Sequence, residues 1–519
     1  MKVTRWPAFF LFAALIISAL ITEEGGDAAL KEKGFERNQA LLVGEETDLS
    51  STWYCVSGTV GGSGIANHEI LLGNPSNSLA HASITVIPVL SPKQSNSEDG
   101  ETERGESPET LQLKSVTAEI VIPERSIISQ TLSEIEGVAG EYAAAFIQSD
   151  IGNLVVEHRL SGQVGVTQSP CASNASTEWN FAAGTTQTGT REIITILNPF
   201  PDNAVLDITF TADGRTRRPD AYSGLVLPPG SLLPIDITDV VTLAETVGAR
   251  VETRIGRVVA ERLIVYGDEF QPFGLSAAIG SPSLNELWIF PGGFDLDSRS
   301  SVVIYNPSNT LEAVVDVEII SDIETGPYIE PISLSIKSGS SEEVIFNHGE
   351  VSSDAMNGVD ASGRVPKGIP FWVVVRSING TPIVSERFMI SSTTPQKLSG
   401  SALGVDLASK EHFAIAKGSE GQLAIVHPAD DRLTVVQLYA YSEGQLYESQ
   451  VIEVSASSRK IIDLQQLGIP ENSVIRILSS EPVSVERYLG SKVEGQWGRL
   501  SVGASELVEL EVSQITYEQ

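Results

Sequence analysis

Cysteine is nearly absent: Cys55 and Cys171 are the two in 519 residues. No CxxC pair exists, which removes zinc-ribbon and dithiol redox chemistry. Histidine is sparse as well. His68, His81, His158, His348, His412 and His427 include no HExxH and no pair at metal-ligand spacing. GxSxG, SxxK and P-loop signatures are missing, and Gly61–Gly64 follows a strand without opening a helix, so it makes no phosphate cradle. Basic residues number 34 against 67 acids, a net charge of −33. Such a surface repels phosphate backbones, which argues against a nucleic-acid partner. Long amphipathic helices are lacking. So are long apolar runs, with one exception at the N-terminus. These absences leave no expected cofactor or metal and no expected enzymatic activity.

The exception is the run from Pro7 to Ile21, preceded by Lys2 and Arg5 and followed by Glu23, Glu24 and Asp27. Basic residues before it and acids after it predict a cytoplasmic N-terminus with the remainder outside the cell. Its length suits a signal peptide's apolar region. The small-x-small cleavage pattern after it is weak, so an uncleaved anchor through residues 7–22 and a secreted, cleaved form both stay open.

What the chain does have is repetition. Four stretches open alike: Trp53-Tyr54-Cys55 before Gly58, Trp179-Asn180-Phe181 before Gly184, Trp288-Ile289-Phe290 before Gly293, and Phe413-Ala414-Ile415 before Gly418. Alternating large apolar side chains running into glycine read as a strand entering a turn. Each copy then has a strand ending in an X-Pro turn, at Asn74-Pro75, Asn198-Pro199, Asn306-Pro307 and His427-Pro428. Proline cannot continue a central strand, and asparagine bonds nearby backbone, so these are hairpin chemistry. Each copy closes on an apolar strand carrying Arg159, Arg262, Arg387 or Arg487. A glutamate precedes it in three (Glu261, Glu386, Glu486), and His158 takes that place in the first. One glutamate beside one arginine lacks the second carboxylate of glycoside hydrolysis. A structural arginine that bonds loop carbonyls or a neighbouring carboxylate accounts for it better. Glycines follow at Gly165, Gly280, Gly404 and Gly503.

Six to eight short strands in each copy of roughly 110–120 residues predict an all-β chain of four tandem immunoglobulin-like β-sandwiches. Propeller blades are shorter, roughly 40–50 residues. The expected boundaries are 1–26 (signal anchor or signal peptide), 27–50 (juxtamembrane linker), 51–173, 174–282, 283–405 and 406–504 (sandwiches), and 505–519 (tail). The first sandwich carries an acidic, polar insertion at 94–109, expected to be a disordered loop. Trp53, Trp179 and Trp288 occupy one repeated core position. Trp372 and Trp497 are less constrained, and Trp497 is the better candidate for an exposed aromatic. Asp295 and Asp297 could hold a cation only weakly.

Cys55 lies on the first strand of copy one and Cys171 just after its last, so a disulfide would tie the ends of that copy together. The alternative is two buried thiols. A loop of roughly a hundred residues makes such a bridge worth on the order of 4–5 kcal/mol.

The opening Trp53-Tyr54-Cys55 with Gly58, Gly61 and Gly62, then Leu71 to Pro75, resembles an uncharacterised actinobacterial family of secreted or membrane-anchored proteins. The likeness spans most of the chain after residue 50. It implies a cell-envelope location and a β-rich fold and carries no activity. The fourth copy departs most, with Phe413 for tryptophan and His427 for asparagine. The expectation is a non-enzymatic envelope protein with a scaffold or binding role, its partner a cell-wall polymer or another envelope protein. The rivals are a carbohydrate-binding module and a hydrolase with its site at a domain junction.

Overall fold

The computed structural model describes residues 42–43 and 51–508, apart from short internal stretches of which 91–109 and 347–358 are the longest. The run at 7–22, the acidic loop at 94–109, Asp295, Asp297 and the side chain of Trp497 lie outside the described residues. No helix among the described residues is long and apolar enough to cross a membrane. The chain is all-β, with single-turn 3₁₀ segments at Leu132–Glu134, Asp220–Tyr222 and Ile237–Asp239.

Four successive stretches of chain each fold into two sheets. In the first, Ser51–Cys55, Tyr142–Ser149 and Ala80–Leu90 build one sheet, edged by Leu111–Gln112 and Val116–Ile122. Gly165–Pro170, Val155–Gly162, Asn67–Asn74 and Ser126–Thr131 build the other. Trp53, Cys55, Ile70, Leu72, Ile84, Ile147 and Val156 pack between them. In the fourth stretch the single strand Ser473–Val493 runs through both sheets and merges them.

Two kinds of strand differ in burial. Ala204–Ala212 and Ala313–Ser321 alternate buried and half-buried residues, so one face of each meets solvent. Thr190–Asn198 is buried almost throughout, because its second face lies against the preceding stretch. The innermost strands make that contact continuous. Gly165–Pro170, Gly274–Ile279, Ser399–Leu403 and Gln496–Ala504 each neighbour the next, and the last neighbours the first, so the four stretches close on themselves. At the seam Leu42–Val43 pairs in parallel with Glu506–Val508, which itself pairs with Ser409–Ala416.

Cys55 and Cys171 form a disulfide, their Cα atoms 4.7 Å apart. Strand register shows what the bridge replaces. Cys55 faces Ala145 as Phe181 faces Ala249 and Phe290 faces Val373. Cys171 follows the residue opposite Glu157, as Gly280 and Gly404 follow those opposite Glu261 and Glu386. In the second and third stretches the phenyl ring lies over that glycine: a Cβ on Gly280 would meet Phe181 Cζ at 2.7 Å, and one on Gly404 would meet Phe290 Cζ at 2.8 Å. The first stretch fills the same space with cystine. Gly165, placed by sequence with Gly280, instead starts its strand as Gly274 does.

Candidate functional site

Register also settles which closing residues correspond. Four residues before Asn198 stands Ile194, opposite Arg262, and four before Asn306 stands Val302, opposite Arg387. Four before His427 stands Leu423, opposite Arg487. Four before Asn74 stands Ile70, and it faces His158, not Arg159. Histidine therefore replaces the arginine in the first stretch, and the glutamate recurs in all four, as Glu157, Glu261, Glu386 and Glu486. Arg159 points to the other face and is only partly buried. The fourth opening strand is likewise displaced by one residue. His412 faces Ile477 as Trp179 faces Val251, and its Nε2 meets Val483 O at 2.8 Å. Trp179 and Trp288 donate Nε1–H to Val258 O and Ile383 O, the carbonyls three residues before their own glutamates. His412 thus takes the tryptophan position, and Phe413 turns outward onto Leu71 and Val155 of the first stretch. Trp53 is buried without a partner for its Nε1, and Trp372 is 2% exposed.

The four glutamates are at most 2% exposed, and each lies at a junction. Glu386 accepts from Arg262 Nη2 at 2.6 Å and from the Ala182 and Ala183 amides at 2.9 and 3.1 Å. Glu486 accepts from Arg387 Nη2 at 2.5 Å and from the Gly292 amide at 2.9 Å. Glu157 accepts from Arg487, from the Ile415 amide at 2.7 Å and from Gln168 Nε2. Glu261 accepts from the Val56 and Ser57 amides at 3.3 and 2.8 Å, and lies 2.8 Å from His158 Nε2. In every case the arginine or histidine and the backbone amides belong to the preceding stretch and the carboxylate to the following one, with Arg487 of the fourth serving Glu157 of the first. The amides are available because the opening strand leaves its ladder there. A register shift between Phe181 and Gly184 frees those of Ala182 and Ala183. Pro291 has no N–H, so Gly292 donates alone in the third.

The His158 junction differs in its protons. Ala143 O only accepts, so His68 Nδ1, at 2.9 Å, carries a proton and His68 Nε2 accepts. His158 Nδ1, 3.0 Å away, must then donate to it. With Glu261 at its other nitrogen, His158 takes the place that arginine holds at the other junctions. Burial and the charge of His158 hold His68 well below the ordinary histidine value, so it stays neutral.

Beside Arg262 the place of His68 is taken by Glu192, six residues before Asn198 as His68 is six before Asn74. Glu192 is fully buried, accepts from the Thr185 amide at 2.8 Å, and is pushed up to about 8 by burial, against the pull of Arg262. The motif glycines make room here: a Cβ on Gly58 would run into the His68 ring and one on Gly184 into the Glu192 carboxylate. Burial works against the charge on Arg262, but Glu386 and Glu192 outweigh it.

Asn74, Asn198 and Asn306 share one geometry. Asn198 Nδ2 donates to the carbonyls of Asp202, Leu227 and Pro228 at 2.8, 3.0 and 3.0 Å, and its Oδ1 accepts from the Phe200 amide. Asn74 reaches Ser78, Ile122 and Pro123, and Asn306 reaches Leu311, Ile336 and Lys337. His427 spans Arg432 O and Pro482 O instead. Among the described residues no group of three His, Cys, Asp or Glu side chains could hold a metal ion.

The sequence reading missed Glu157, His68, Glu192 and His412. Matching the copies on their apolar flanks would have found Glu157, because Val155-Val156 precedes it as Val259-Ala260 precedes Glu261. No curated protein matches the chain. Residues 156–263 match a family of unknown function, DUF5719, so the matched stretch begins one residue before Glu157 and ends two after Glu261, from one junction carboxylate to the next.

Proposed function

We propose that the protein is a non-enzymatic, extracytoplasmic scaffold: four tandem immunoglobulin-like β-sandwiches locked into a closed ring and held at the membrane through residues 7–22. The observation that carries this reading is the use of the recurring carboxylates. Each is engaged by an arginine or histidine and by backbone N–H inside its own junction and is sealed from solvent. A hydrolase would need two of them in one open cleft. The resemblance of Trp53 to Pro75 to an actinobacterial family of exported proteins supports the cell-envelope location. The partner in this reading is a cell-wall polymer or another envelope protein, met at the outer hairpins. Protease treatment of intact cells tests it. A C-terminal tag is removed from whole cells and the protein fractionates with membranes; a tag protected until the cells are lysed refutes the reading.

A further inference from the structure

Besides the buried ring, the junctions touch at their periphery. A hairpin of one stretch meets the tight turn of the next: Gln112 bonds Leu232, Thr216 bonds Gly339, Arg459 bonds Asp322, and Gly444 bonds Arg125. Between the second and third stretches this contact encloses a cleft of about 240 Å³. Its lining is rich in arginine. Arg218, Arg250 and Arg254 line it together with Asp207 and Glu252, and Thr209, Thr216, Ser223 and Asn309 supply hydroxyls and an amide. The hairpin at its rim adds exposed Arg215 and Arg217. Five arginines gather here in a chain whose net charge is −33.

The arginines are not all neutralised. Asp207 engages Arg254 through two bonds, of 2.6 and 2.7 Å, and Glu178 and Glu252 engage Arg250 at 3.0 and 3.4 Å. Arg218 bonds Asn309 and makes no ion pair among the described residues. Arg250 Nε is buried with no hydrogen-bond partner. The distant acids do not cancel this local excess, since charges more than about 8–10 Å apart are screened at physiological salt. Guanidinium forks read carboxylate and phosphate oxygens, and the surrounding hydroxyls and amide suit a polyhydroxylated body. The cleft is smaller than the roughly 300–1,000 Å³ of drug-sized sites, so it takes one residue and not an extended ligand.

We propose that this cleft binds a single sugar unit carrying a carboxylate or phosphate, free or as part of an anionic saccharide. The site does not depend on where the protein resides. Titration calorimetry on the full-length protein tests it with glucuronate, glucose 6-phosphate, glucose and inorganic phosphate. The expected result is binding of glucuronate, glucose 6-phosphate or both, weakened as salt rises. Glucose and inorganic phosphate bind at least about tenfold more weakly. Arg218→Ala, at an exposed loop, weakens the anionic sugar about tenfold, and Asn309→Ala weakens it less. Heat from none of the four overturns the proposal. So does glucose binding as tightly as glucuronate, or phosphate as tightly as its sugar ester. Unchanged affinity in Arg218→Ala, with unfolding unaltered, also overturns it.

Discussion

Glu192 shows how a single position sets a pH dependence. Its carboxyl ionises near 4.5 in the unfolded chain and near 8 in the folded one. Between those values the folded state holds the additional proton. The contribution of Glu192 to stability is therefore complete below 4.5 and is lost as pH rises through 8. Glu192→Gln keeps an acceptor for the Thr185 amide and cannot ionise. Its stability should match the parent near pH 4.5 and exceed it by a few kcal/mol at pH 8, on the order of 1.4 kcal/mol per pH unit between. Urea unfolding at pH 5 and pH 8 checks this, and an equal difference at both pH values would sink it. His412 behaves in the opposite sense. Burial lowers it to about 4, so its neutral form supports the fold above the ordinary histidine value and that support is lost as pH falls toward 4.

At the scale of the element, one structural task is met by two chemistries. The space between opening and innermost strands holds a phenyl ring over glycine in the second and third stretches and a cystine in the first. Cys55→Ala with Cys171→Ala removes both the bridge and the filling, and should cost about 2–5 kcal/mol. Cys55→Phe with Cys171→Gly rebuilds the Phe181–Gly280 arrangement and should recover a measurable part of that loss without any disulfide. Denaturant midpoints of the two variants decide it: a Phe/Gly variant no more stable than the Ala/Ala one means the positions are not equivalent.

Across the whole molecule, closure is the main feature. Arg487 and Glu157 are 330 residues apart, yet they meet as Arg262 meets Glu386. Removing one partner of a buried pair strands the other, so Arg487→Ala should destabilise by about 3–5 kcal/mol. The loss should be local at first. Amide exchange should quicken at Ile415, which donates to Glu157, while Ala182 and Ala183 at another junction keep their protection. Unchanged exchange at Ile415 would show that this junction does not hold the ring shut.

The all-β class, the hairpin role of Asn74, Asn198 and Asn306, and the cystine were legible in the chain, because alternation, proline and spacing act over a few residues or within one stretch. The candidate carboxylates were only partly so. Arg159 and Phe413 were each read one residue away from the side chain that does the work, His158 and His412. In a strand, a slip of one residue turns every side chain to the opposite face, and similar neighbours on both faces hide it. What only the tertiary structure decided is which glutamate meets which cation. Those partners lie about a hundred residues apart or more, on different sheets, and nothing local couples them. The pairing of Arg487 with Glu157 exists only once the fourth stretch has come round to the first.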